Sequence, residues 1–216
     1  MLYTLKNYNM IEHFNISTLR NTHQGESCVI LGCGPSVKNF EKYKNDFFTI
    51  GVNDIGEFHT PDILLLLDVP TVFTPERRKT IENTPSKIFT SNVARWKTKA
   101  EKYVDFRIGS RSLKDIDKNF DDGRLCVSST STYVGIVLAY YMGFNCIGMI
   151  GVDFTQNHYN RKDGVHSLNK KLQTIQKAYT ELEALLKSRG VEFYNLSKDS
   201  AIDTTKMSVE DFVSQK

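Results

Sequence analysis

The sequence predicts an α/β protein: a Rossmann-like, doubly wound, mostly parallel sheet with helices on both faces and a lid-like loop region. Three observations carry that expectation. Short apolar runs alternate with helical patterns along most of the chain, as βαβ units require. Several of those runs are apolar at every position, as strands buried on both faces are. The run Ser27-Cys28-Val29-Ile30-Leu31 also leads straight into Gly32-Cys33-Gly34-Pro35-Ser36, a turn of the kind that opens a phosphate-binding βα unit.

Two glycines let that turn bend sharply and approach a ligand closely. Pro35 suits the first turn of a helix, where its missing N–H costs nothing. The free amides and the positive end of the helix dipole would then face an anion. The run is neither the full G-x-G-x-x-G pattern nor a Walker loop, since no Gly-Lys-Ser/Thr follows. A plain strand–helix connection can use the same residues.

Residues 1–25 are mixed and polar and read as an N-terminal arm or short helix; residues 26–216 read as a single Rossmann-like domain. After the first strand, residues 47–52 form a second, ending at Asn53-Asp54. Residues 62–67 are a buried strand ending at Asp68-Val69-Pro70. A short helix is expected over 76–83, a strand over 87–90, a helix over 93–103 that carries the single Trp96, and a strand over 104–108. Residues 109–126 are rich in Asp, Lys, Arg and Gly and read as a mobile loop or lid. Residues 131–141 are small and apolar throughout, a buried helix closed by Gly143. A central strand over 146–152 ends at Asp153. The long helix over 167–189 places Leu168, Leu172, Ile175, Tyr179, Leu182 and Leu186 on one stripe. Gly190, a strand over 191–196, and a short helix near 208–213 capped by Ser208 complete the chain.

Composition narrows the function classes. Of 216 residues, 40% are hydrophobic and 25% charged, an ordinary globular balance. The net charge of +3 does not announce a nucleic-acid binder. Basic residues do cluster locally, at Arg77-Arg78-Lys79, from Arg95 to Lys102, and at Arg107 and Arg111. The cysteines Cys28, Cys33, Cys126 and Cys146 show no C-x-x-C spacing, which argues against a zinc site or a disulfide framework and for a reducing compartment. No apolar run reaches membrane-spanning length and the first residues lack a signal-peptide core, so a cytoplasmic protein with no integral membrane segment is expected.

In a doubly wound sheet, ligands bind outside the carboxyl ends of the strands. Those ends here carry the 32–36 turn, Asn53, Asp54, Asp68 and Asp153. Asn53 and Asp54 suit a ribose or base, and equally suit a turn. Asp68 and Asp153 suit a ribose hydroxyl, a base amine, a metal or a loop cap. Ser128-Ser129-Thr130-Ser131-Thr132 offers more hydroxyls than one helix cap needs. Cys33, beside a helix N-terminus, is either an acidified thiol or a neutral turn residue. His166 heads the long helix, where the dipole disfavours imidazolium and keeps the ring ready to accept a proton. His158 and Tyr159 precede it in a polar, aromatic loop, while His13, His23 and His59 form no constellation.

The order of these motifs resembles the bacterial lipooligosaccharide sialyltransferase family. The resemblance rests on Gly32-Cys33-Gly34-Pro35-Ser36, Asn53, Thr130-Ser131, Gly143-Phe144 leading to Gly151-Val152-Asp153-Phe154, and His166-Ser167. It implies a metal-independent inverting glycosyltransferase with a CMP-sugar donor and a Rossmann-like fold. By that resemblance His166 is the general base, Gly32, Gly34 and Ser36 form the nucleotide-phosphate turn, Asn53 contacts the nucleotide and Ser131 is the serine of a Thr-Ser motif. Tyr159 stands in for one leaving-phosphate tyrosine, and Thr155 stands where another is expected. Cys33 replaces an asparagine of the family's turn, and Asp68 takes the place of another. The chain also resembles the 6-hydroxymethylpterin pyrophosphokinase-like family through Gly-Pro-Ser, Pro61-Asp62 with Asp68, and Gly151-Val152-Asp153, which implies ATP and magnesium.

The expectation is therefore a nucleotide-sugar-dependent glycosyltransferase with His166 as catalytic base. Gly32, Cys33, Gly34, Pro35, Ser36, Asn53, Asp54, Asp68, Thr130, Ser131, Asp153 and Tyr159 would bind the donor. No cofactor beyond the sugar nucleotide is expected, and the acceptor is a hydroxyl on a glycan or on a hydroxylated DNA base, as in small phage-type enzymes. The alternatives are a magnesium-dependent pyrophosphokinase and a non-catalytic nucleotide-binding module. Association into a homo-oligomer is compatible with either kind of protein.

Overall fold

The computed structural model describes residues 12–91, 95–96, 102–128, 130–154 and 167–215. Strand β1 is Glu12–Asn15, within the stretch expected as an arm, and a 3-10 turn follows at Ile16–Leu19. Strands β2 (Ser27–Leu31), β3 (Phe48–Val52), β4 (Ile63–Leu66) and β5 (Lys87–Thr90) fall where the apolar runs predict them. Helix α1 (Pro75–Glu82) is capped by Thr74, whose side chain accepts from the Arg77 amide. Strand β6 is Lys102–Asp105. Residues 102 and 103 therefore end in a strand rather than a helix, and residues 93, 94 and 97–101 of that expected helix lie outside the described residues.

The stretch expected as a lid is more regular than its composition suggests. It holds α2 (Ile116–Asp121) and β8 (Arg124–Leu125), and β8 pairs in a small second sheet with β7 (Arg107–Ile108), the end of the strand expected over 104–108. Buried Ile116 and Phe120 tie it down, and Phe120 meets Tyr141 edge-on at 4.8 Å. With Leu125 these make three buried apolar anchors, and they outweigh their polar neighbours because most of those face water. Then come α3 (Ser131–Met142), β9 (Cys146–Ile150), α4 (Leu172–Ser188), β10 (Glu192–Asn195) and α5 (Val209–Ser214).

Eight strands form the main sheet in the order β1-β6-β5-β4-β3-β2-β9-β10, and every pair is parallel. From β2 the chain winds outward through β3, β4, β5 and β6, then returns to place β9 and β10 on the other side. The switch point thus lies between β2 and β9, with Leu31 level with Ile150. Period-two alternation divides the core between the faces. Cys28, Ile30, Ile50, Leu65, Ile147 and Met149 face α3 and α4. Val29, Leu31, Leu64, Ile88 and Ile150 face the other way, against Phe40, Ile81 and Phe212. Helix α3 is buried almost all round because it packs on β2, β3, β4 and β9 with β8, Phe120 of α2 and Tyr179 of α4 against its other sides, and Gly143 ends it at φ 93°. Helix α4 buries only Ile175, Tyr179, Leu182 and Leu186, each stabilising by roughly 1.5–3 kcal/mol.

Candidate functional site

The carboxyl ends of β2 and β9 touch backbone to backbone. The Gly32 amide donates to the Ile150 carbonyl at 2.8 Å, and the Gly34 amide to the Gly151 carbonyl at 2.7 Å. A Cβ on Gly32 would fall closer than 3.0 Å to the Gly151 carbonyl, and a Cβ on Gly151 equally close to that of Gly32. The glycines of the turn are there so that two strand ends can meet.

The helix that follows the turn is a six-residue 3-10 helix, Pro35–Phe40, rather than an α-helix. Its amides do not face open space. Buried Asp153 reaches across from the end of β9, and its Oδ2 accepts from the Ser36 amide at 2.9 Å. A Cβ on Gly34 would collide with that same carboxylate. The Ser36 hydroxyl lies 2.6 Å from that of Ser197, and the Gly151 amide donates to both, at 3.0 and 3.2 Å. The turn's anion is the chain's own carboxylate.

The end of β3 is arranged differently. Asn53 adopts φ 57°, the left-handed region that a non-glycine residue enters at a cost. Its amide hydrogen is used by the Leu65 carbonyl at 3.3 Å. Its side-chain Oδ1 is buried and has no hydrogen-bond partner among the described residues. Beside it the Cys33 thiol donates to the Val52 carbonyl at 3.4 Å and lies 3.9 Å from Asp54 Oδ1. Asp54 is fully buried, and Arg77 takes both its oxygens, Nε to Oδ2 at 3.0 Å and Nη2 to Oδ1 at 2.7 Å. The same guanidinium lies 4.9 Å over the Phe73 ring. Asp68 is exposed, and its carbonyl accepts from the buried Trp96 indole at 3.0 Å.

Across the rim stands the N-terminus of α3. Thr130 caps it, accepting from the Tyr133 amide at 3.1 Å. The Tyr179 hydroxyl from α4 lies 2.8 Å from the Thr130 oxygen and 2.7 Å from that of Thr132. Burial pushes the Tyr179 phenol up to about 12, against the smaller opposing effect of those two hydroxyls. Ser131, the next residue, is half-buried at the first turn.

The structure therefore gathers Gly32, Gly34, Pro35, Ser36 and Asp153 into one bonded knot, and Cys33, Asn53 and Asp54 into a second group beside it. Thr130 and Ser131 head the helix that packs beneath these strands. Tyr159, His158, Thr155 and His166 lie outside the described residues, as does Ser129. Sequence reasoning missed Arg77, Ser197 and Tyr179 as partners of this rim. Arg77 appeared only within a basic cluster, 23 residues from the aspartate it holds, and no local spacing announces such a pair. Among the described residues no three His, Cys, Asp or Glu side chains converge as a metal site. No helix among them is long and apolar enough to cross a membrane.

A parallel, doubly wound sheet with polar residues massed at its switch point defines a Rossmann-like α/β protein, a fold whose ligands bind outside the carboxyl ends of the strands. No protein-family model and no curated protein matches the sequence. Solved structures do match in fold. The sialyltransferase CstII from Campylobacter jejuni, in complex with a substrate analogue, cytidine-5′-monophosphate, aligns with a TM-score of 0.51 and 18% identity over 86% of this chain and 85% of that one. The same enzyme with a trisaccharide acceptor and CMP aligns at 0.51 and 19% identity, over 85% of this chain and 86% of that one. The MAf glycosyltransferase from Magnetospirillum magneticum aligns at 0.55 and 14% identity, over 93% of this chain and 40% of that larger one.

Proposed function

We propose that this protein is a nucleotide-sugar-dependent glycosyltransferase of the sialyltransferase-like kind, with the donor nucleotide at the carboxyl rim beside β3. The observation that carries the reading is Asn53. A buried amide oxygen with no partner among the described residues costs about 1–3 kcal/mol, and such a group on a strained backbone fits a position that a ligand completes. An exocyclic amine or ribose hydroxyl of a nucleotide supplies the missing donor. The fold likeness to CstII, described with CMP, makes cytidine the first nucleotide to test.

The 32–36 turn already holds the Asp153 carboxylate, so the phosphate goes to the other positive end at the rim, the first turn of α3 with Ser131. The acceptor hydroxyl attacks the anomeric carbon as the bond to the phosphate oxygen breaks. His166 takes the hydroxyl proton and the departing nucleotide takes the electron pair. The Ser131 hydroxyl and the α3 dipole favour the charge that develops on the phosphate. Tyr159 is assigned the second phosphate contact.

Thermal stabilisation by CMP, UDP, GDP and ATP, with and without magnesium, tests the reading. Stabilisation by CMP without metal, and loss of sugar transfer in His166→Ala with native stability, are the expected results. Stabilisation by ATP only with magnesium would replace it with the pyrophosphokinase reading. Full transfer by His166→Ala would refute the assigned base.

A further inference from the structure

On the face of the sheet opposite α3 and α4, an open groove of about 670 Å³ runs beside the end of β10 and the start of α5. Four lysines border it: Lys38 and Lys42 on one wall, Lys198 and Lys206 on the other. All four are exposed. Lys206 is fixed in place, because its Nζ donates to the carbonyls of Lys198 at 2.9 Å and Ser200 at 3.1 Å. Neither Lys38, Lys42 nor Lys198 forms an ion pair with a described carboxylate. The two acids of the groove do not cancel this charge: Glu41 is engaged by Lys44, and only Glu210 is left to offset it. The floor is apolar, with Tyr43, Leu196 and Met207.

The groove adjoins the bonded knot at the switch point. Lys38 follows Ser36 by two residues and Lys198 follows Ser197 by one, and those two serines are bonded at the switch point. We infer that this groove binds an acidic oligosaccharide, the carboxylate- or phosphate-bearing part of the acceptor, and so deepens the transferase reading on which it rests. Spaced single ammonium groups match charges that recur along a chain, whereas bidentate recognition of one anion calls for arginine. An apolar floor suits the C–H faces of sugar rings. The groove's aromatic is not a free stacking platform of the kind single-stranded nucleic acids use, since the Tyr43 ring packs on Phe40 at 6.4 Å. Its volume falls within the roughly 300–1,000 Å³ of small-ligand clefts.

The test is calorimetric titration of the full chain with tetragalacturonate, neutral maltotetraose and an eight-residue oligothymidylate. Tetragalacturonate binds and maltotetraose does not, with an affinity that falls as salt rises. The triple variant Lys38→Gln/Lys42→Gln/Lys198→Gln loses about tenfold in affinity while its melting temperature stays unchanged. Lys42→Glu alone weakens binding in the same direction and serves as a second variant. Equal binding of the neutral sugar, tighter binding of the oligothymidylate, or unchanged affinity in the triple variant overturns the inference. CMP binding is measured in parallel. If it fails while tetragalacturonate binds, the groove stands and the transferase reading falls; the reverse result spares the transferase.

Discussion

Replacing Asn53 by glycine separates stability from function at the candidate site. The residue holds φ 57°, which glycine adopts without strain. An L-residue there is penalised by up to about 1–2 kcal/mol, toward the low end for asparagine. The substitution also removes a buried amide oxygen that bonds to nothing described, relieving about 1–3 kcal/mol. Against these gains stands the larger entropy of glycine in the unfolded chain, roughly 0.5–1 kcal/mol. The net is a stabilisation of about 1–3.5 kcal/mol, or about 2–14 °C in melting temperature for a chain of this size. Nucleotide binding moves the other way. Loss of one neutral hydrogen bond, about 0.5–1.5 kcal/mol, weakens the donor by roughly 2- to 12-fold. Scanning calorimetry and titration with CMP on the same preparations decide the matter. A variant that melts lower, or binds as tightly as the parent, refutes the argument that the strain is kept for a ligand.

Other perturbations probe the rim and its supports. Arg77→Met removes the cation paired with the fully buried Asp54 carboxylate and costs about 3–5 kcal/mol by urea unfolding, while Arg77→Met/Asp54→Asn recovers part of that loss. Gly32→Ala drives a methyl into the Gly151 carbonyl and must part β2 from β9. It should cost at least roughly 1–3 kcal/mol and lower donor affinity as well. Burial raises the Tyr179 phenol from 10.0 to about 12. Its stabilisation is therefore complete below pH 10 and is lost as pH climbs toward 12, and Tyr179→Phe flattens the alkaline fall of the melting temperature.

The strands were legible because burial on both faces leaves a simple trace. Runs such as Ile63-Leu64-Leu65-Leu66 have few uses outside the middle of a parallel sheet. The cap at Ser208 was legible for a similar reason, since it acts on the amide three residues on, whereas among the hydroxyls of 128–132 the structure selects Thr130. Residues 109–126 were harder, because Ile116, Phe120 and Leu125 are anchors only once α3 is beside them. Composition counted their polar neighbours and overstated the loop. At the rim the sequence located the Gly-rich turn, Asn53, Asp54 and Asp153 by their places after apolar runs. It could not say what each holds.

Local chemistry thus decided the elements, their order and the edge of the sheet on which polar groups collect, since these depend on residues within a few positions of one another. Tertiary structure alone decided the partners. Asp153 meets the Ser36 amide across 117 residues and Tyr179 meets Thr130 across 49. Whether a carboxylate fills a turn or leaves it open to phosphate is therefore a property of the sheet's winding, and no spacing along the chain encodes it.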